Sequence, residues 1–152
     1  MYDRLKKLGY MPCIPLDMRE RLSLKEERTT YVLKCAKKAP ITCFKVDGYI
    51  ITEGRKCDYM ILVQDILVPN LFMQILVELK GTDVAHAISQ LESSLTNHLL
   101  QHNSINSRKA RIVAQSFPSS KSNPVIANAK RNFLTKYKCE LKTVKTNQPD
   151  II

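Results

Sequence analysis

At 152 residues the chain has the length of one ordinary domain, enough to bury a full core without disulfide or zinc staples. Its 44% hydrophobic and 25% charged content, with no uncharged apolar stretch near the length of a bilayer span, excludes a membrane-spanning class. The opening Met1-Tyr2-Asp3-Arg4-Leu5-Lys6-Lys7 lacks the apolar segment of a signal peptide, so a cytoplasmic location is expected.

Lys plus Arg number 24 against 14 Asp plus Glu, a surplus of +10 that attracts polyanions through counterion release. Nucleic acid is the leading partner. Cys13, Cys35, Cys43, Cys57 and Cys139 are odd in number and contain no C-x-x-C pair, which argues against a disulfide framework or a zinc knuckle. Free thiols in a reducing compartment account for them better.

In chain order, Met1 to Arg21 carries two prolines and no sustained period, apart from a short helical turn at Tyr2 to Leu8. Ser23-Leu24-Lys25-Glu26 matches a capping box, and the residues through Lys38 follow at roughly helical spacing until Pro40, which predicts a first helix. From Ile41 the period becomes strand-like through Ile51, with Glu53-Gly54-Arg55-Lys56 as a turn. Cys57 to Val63 and Leu71 to Lys80 supply two further strands, separated by a loop at Gln64 to Asn70, and together the three suggest an antiparallel meander.

Thr82 is the expected N-cap of a second helix, in which Val84, Ile88, Leu91, Leu95 and Leu99 form an apolar stripe and Asp83, His86, Gln90, Ser94 and Asn97 a polar one. Ala110 to Gln115 reads as a strand, Ser116 to Asn123 as a loop, and Asn123-Pro124 as the start of a third helix reaching Tyr137. Cys139 to Thr146 alternates as a terminal, edge-like strand. Strands alternating with helices in the second half imply crossovers and parallel pairing. The expected fold is α/β, a mixed sheet of about five strands flanked by helices. It forms a single domain over 1–152, with an N-terminal segment at 1–22 and a core at 23–146.

The residues that carry chemistry lie in the second and third strands. Gln74, Leu76, Glu78 and Lys80 share one strand face, and Ile75, Val77 and Leu79 share the other. A carboxylate and an ammonium side by side at the end of an apolar strand need compensation if buried. A divalent cation and a phosphate would supply it.

The order of elements, with Asp58 in Lys56-Cys57-Asp58-Tyr59, Glu78-Leu79-Lys80, and Gln90 on the following helix, resembles the PD-(D/E)XK nuclease superfamily. That group includes restriction enzymes, Holliday junction resolvases and repair nucleases. The likeness spans most of the chain and departs from the usual pattern in one place, where Cys57 stands for the proline before the first acid.

The resemblance implies a restriction endonuclease-like fold and a Mg²⁺-dependent endodeoxyribonuclease, with Mn²⁺ as a substitute and branched or otherwise structured DNA among its substrates. Asp58 and Glu78 would be the carboxylate ligands, the backbone carbonyl of Leu79 a third oxygen, Lys80 the group beside the attacking water, and Gln90 an orienting amide. Of the first-helix acids Glu20, Glu26 and Glu27, the last is favoured as an added ligand, because Glu26 is taken by the capping box.

His86 lies on the polar stripe near the site, but His98 and His102 are too far along the chain to form a ligand cluster with it. Cys57 is expected to point away from Asp58, with no base to activate it. Arg108, Lys109, Arg111, Lys121, Lys130 and Arg131 are candidate phosphate contacts. A homodimer would let two sites address two strands, and RNA is a further candidate partner. The alternative reading is a non-catalytic nucleic-acid-binding module of the same fold. The plain reading of each residue stands beside these: E-x-K is a common tripeptide, Asp58 can pair with Arg55 or Lys56, and exposed lysines can serve solubility alone.

Overall fold

A computed structural model describes residues 1–79, 83–119 and 124–152. In chain order the elements are α1 (Tyr2–Lys7), β1 (Ile14–Glu26), β2 (Thr29–Lys45), β3 (Tyr59–Gln64), β4 (Phe72–Leu79), α2 (Val84–Thr96), a single 3₁₀ turn (His98–Leu100), β5 (Ile105–Ala114), α3 (Val125–Tyr137), β6 (Cys139–Lys145) and β7 (Pro149–Ile151). The fold is α/β with one open, mixed sheet of seven strands, two more than the sequence suggests. β1 to β6 lie side by side in chain order, and β7 joins β2. β1 through β4 run antiparallel, whereas β4, β5 and β6 are parallel, joined by α2 and α3 as crossovers.

The predicted first helix is overturned. Residues 23–38 belong to a long β-hairpin in which Glu26 pairs with Thr29 across a tight turn, and Glu27 takes the left-handed conformation at φ 48°. Alternation decides the matter: Leu22 and Leu24 on one arm and Tyr31, Leu33 and Cys35 on the other are buried, while their neighbours Ser23, Lys25 and Lys34 are exposed. Pro40 does not stop a helix. It pairs with Met18 beside an irregularity between Arg19 and Arg21, as expected of a proline inside a sheet.

Two apolar clusters sandwich the sheet. On one face Phe44, Met60, Leu62, Leu76, Ala110 and Ile112 pack under Leu5 of α1, Leu91 and Leu95 of α2 and Phe133 of α3. On the other, Ile61, Ile75, Val77 and Val113 meet Tyr31, Leu33 and Cys35. In a flat sheet β2 and β5 would stand about 14 Å apart, three spacings of about 4.8 Å. Their shared cluster therefore requires the hairpin to arch over the sheet. The arch is pinned by the Thr30 N–H donating to Thr146 Oγ1 at 2.8 Å and by β7, which pairs Val32 with Pro149 and Lys34 with Ile151.

The second helix carries the expected apolar stripe, with Val84, Leu91 and Leu95 buried and Ile88 packed against the core. Its N-cap is Asp83, whose carboxylate accepts from the His86 N–H at 2.9 Å. Thr82, expected in that role, lies outside the described residues, as does Asn123. Among the described residues no helix is long and apolar enough to cross a membrane.

Candidate acidic site at the β3–β4 edge of the helix-covered face

Asp58 immediately precedes β3, and Glu78 lies one residue before the end of β4. The β3–β4 register ends at Tyr59 opposite Val77, and Asp58 lies at a bend just before it. Glu78 shares the parity of Leu76, which faces the helices. The Asp58 carboxylate reaches β4 at the Leu79 N–H, the residue after Glu78, and both acids are buried, Glu78 without any exposed surface.

Local hydrogen bonding explains why the chain holds an acid at position 58. The Asp58 N–H donates to the Val77 carbonyl at 3.1 Å, and its own carbonyl accepts from Val46 N–H at 2.9 Å. One step on, the strict ladder would match Cys57 with Leu79. Instead the Leu79 N–H donates to Asp58 Oδ2 at 2.7 Å, and the Cys57 N–H donates to Ser94 Oγ at 2.8 Å. The carboxylate thus replaces a backbone acceptor where the ladder ends, which fixes its orientation.

The helix α2 is clamped against this segment. Ser94 Oγ accepts from Cys57 and donates to the Gln90 carbonyl at 2.9 Å, and Gln90 Nε2 donates to the Lys56 carbonyl at 3.0 Å. The Gln90 side-chain oxygen is buried with no hydrogen-bond partner among the described residues. Ser94, part of the expected polar stripe, is thus a buried structural link rather than a solvent-facing residue.

Cys57 does not point away from the acids. It lies in the helix-side cluster, and burial, followed by the charges of Glu78 and Asp58, pushes its thiol far above the usual range. Such a thiol is inert as a nucleophile. Lys56 and Arg55 do not neutralise Asp58 either: Lys56 pairs with Asp47 at 3.6 Å, and Arg55 donates to Ser89.

Lys80 and Lys121 lie outside the described residues. Glu27 sits in the hairpin turn after Glu26. Tyr59 packs in the hairpin-side cluster, and burial first, then the Glu26 carboxylate, raises its pKa. Among the described residues no three His, Cys, Asp or Glu side chains gather as a metal-binding group.

Of the expected phosphate contacts, Arg111 is a correction. Its guanidinium is buried and makes four hydrogen bonds: Nε donates to Asp150 Oδ2, Nη1 to the Ala110 and Glu140 carbonyls at 3.1 Å, and Nη2 to Glu140 Oε1 at 3.0 Å. Asp150 also accepts from Tyr31 at 2.7 Å and Lys142 at 2.9 Å. Burial alone would raise the Asp150 pKa, but the hydrogen bonds from Lys142, Arg111 and Tyr31 outweigh it and hold the carboxyl below the usual range. This cluster ties β7 to β2, β5 and β6.

Arg108 is likewise turned inward, donating to buried Gln74 and to the Leu95 carbonyl, both at 3.1 Å. Lys109 pairs with Glu140 at 2.8 Å near the surface. Lys130 and Arg131 are exposed on α3. A hollow of about 880 Å³ lined by Tyr2, Arg4, Lys7, Gln64 and His102 lies at the far end of β3 from Asp58, so it is separate from the acids.

No family model matches the chain, and neither a curated protein nor a solved structure does.

Proposed function

We propose that the chain is a divalent-metal-dependent deoxyribonuclease of the PD-(D/E)XK kind, with Asp58, Glu78 and Lys80 at its centre. The observation that carries this reading is that the buried Asp58 carboxylate is fastened to Leu79, the residue after buried Glu78, beside a helix bearing Gln90. An antiparallel meander followed by helix, parallel strand, helix and parallel strand agrees with it.

The donor set fits a hard cation. Two carboxylates, with the Leu79 carbonyl as a further oxygen, suit Mg²⁺, which keeps several waters and takes only one or two protein carboxylates. When bound, such an ion neutralises phosphate charge and lowers the pKa of a coordinated water. The chain's own residues do the rest. Asp58, anchored by the Leu79 N–H, holds its carboxylate where the β3–β4 ladder ends. Gln90, anchored through Nε2, keeps its oxygen as an acceptor for a water or ligand. Lys80 is assigned the proton or charge relay beside the attacking water. Lys130, Arg131 and Lys109 are assigned phosphate contacts.

The test is incubation with plasmid, linear, single-stranded and branched DNA in Mg²⁺, Mn²⁺ or EDTA. Cleavage with either metal and none in EDTA is expected. No product on any substrate would overturn the reading.

One observation favours a second reading, a non-catalytic nucleic-acid-binding module: Glu78 has no exposed surface. That reading expects salt-sensitive binding that is indifferent to EDTA.

A further inference from the structure

Cys13 and Cys43 meet where the long hairpin begins. The Cys13 N–H donates to the Cys43 carbonyl at 2.9 Å, and Cys13 Sγ lies 3.3 Å from the same oxygen. The next residue, Ile14, is the register partner of Cys43, and the ladder is irregular between Ile14 and Asp17. Cys13 thus lies one residue before the register partner of Cys43 and is held against Cys43 by its own backbone bond.

The two thiols are unequal. Cys13 is exposed and Cys43 fully buried. The neighbouring Cys43 brings the Cys13 thiol down to about 7 against the opposing effect of burial, whereas the Cys43 thiol, which donates to the Phe44 carbonyl at 3.9 Å, is held well above the usual range. The remaining thiols are all buried and raised: Cys35 and Cys57 by burial, and Cys139 by burial to about 11. Cys13 is thus the thiol with an appreciable thiolate fraction at neutral pH, and it has a second sulfur beside it.

We propose that Cys13 and Cys43 form a hydroperoxide-reactive pair, with Cys13 as the attacking sulfur and Cys43 as the resolving one. The Cys13 thiolate attacks a peroxide oxygen. An S–O bond forms as the O–O bond breaks, the sulfur is oxidised by two electrons, and the departing hydroxide takes a proton to become water. The Cys43 sulfur then attacks the Cys13 sulfenic sulfur. The S–S bond forms as the S–O bond breaks, and the released hydroxide takes the Cys43 proton as a second water. Cys43 belongs to the cluster on the hairpin-covered face, opposite Asp58 and Glu78, so this chemistry does not depend on the nuclease reading.

The experiment is peptide mapping of the full chain without reductant after treatment with hydrogen peroxide, beside a thiol titration. Loss of two of the five thiols and a Cys13–Cys43 linked peptide are expected. Cys13→Ser should abolish the link, and Cys43→Ala should leave a sulfenic acid on Cys13 that dimedone traps. Retention of all five thiols, or Cys13 recovered only in links between two chains, overturns the proposal. Should Cys43→Ala fail to fold, wild type against the surface variant Cys13→Ser decides alone.

Discussion

Asp58 accepts a hydrogen bond from the backbone of Leu79, so the acid on one strand is fastened to the residue that follows Glu78 on the next. A single 2.7 Å contact therefore fixes the Asp58 carboxylate where the β3–β4 ladder ends. Substitutions at 58 and 78 should separate folding from activity for this reason.

Asp58→Asn retains a side-chain oxygen to accept from Leu79 but loses the charge. We expect a folded protein whose metal-dependent cleavage falls by about 10²–10³-fold, the size of losing one electrostatic stabiliser. Glu78→Gln, of equal volume, should behave alike. Circular dichroism and a nicking assay check the pair, and wild-type cleavage by folded Glu78→Gln would remove the acids from the mechanism.

Asp150→Ala removes the buried one of the two carboxylates on the Arg111 guanidinium and leaves only the half-exposed Glu140. The expected cost is about 3–5 kcal/mol, the usual penalty for breaking one side of a buried ion pair. Urea denaturation reads it. A loss comparable to that of an exposed pair, well under 1 kcal/mol, would mean that the cluster is not what holds β7.

Acid should unfold the protein through the same group. The folded-state pKa of Asp150 lies below its unfolded value, so the unfolded chain binds more protons in the interval between them, and stability rises with pH there. The contribution is fully present above the unfolded value of about 3.9 and is lost as pH falls through the lower folded value. Thermal midpoints measured downward from pH 5 should fall for wild type, and less steeply for Asp150→Asn.

Lys130 and Arg131 are exposed neighbours on α3. Replacing both with Glu should weaken DNA binding and reduce the slope of log Kobs against log salt by roughly one for each phosphate that is no longer neutralised. An unchanged slope in a filter-binding titration would exclude α3 from the interface.

Most of the fold from Tyr59 to Lys145 was legible because its elements are local and strongly patterned, although β5 begins at Ile105, ahead of its expected start at Ala110, and β7 was not expected. Val84, Leu91 and Leu95 mark α2 by helical spacing, and the run 72–79 marks β4 by its length and its bounding turns. The hairpin misleads for equally specific reasons. Its Ser23-Leu24-Lys25-Glu26 imitates a capping box, and its turn at Glu27 and Arg28 has no glycine to announce it.

Arg111 and Asp150 were beyond reach for another reason. Each looks like a surface charge until the partner, 39 residues away, closes the cluster. Strand alternation gave one hint, since Arg111 shares its face with buried Val113. At the candidate site, strand parity carries Glu78 to the helix-covered face, but the bend at Asp58 and the Ser94 and Cys57 contacts depend on how α2 docks, which no local pattern encodes.

The sheet's two outer rims belong to β1 and β6, and β1 is by far the longer. Six of its thirteen residues are charged, and Pro15 offers no N–H to an incoming strand. A second chain laid along that rim would have to cover charged side chains of both signs and would find no N–H at Pro15. Native molecules are therefore protected against stacking into fibrils by strand addition, and the open rim can remain long without making the protein prone to aggregate.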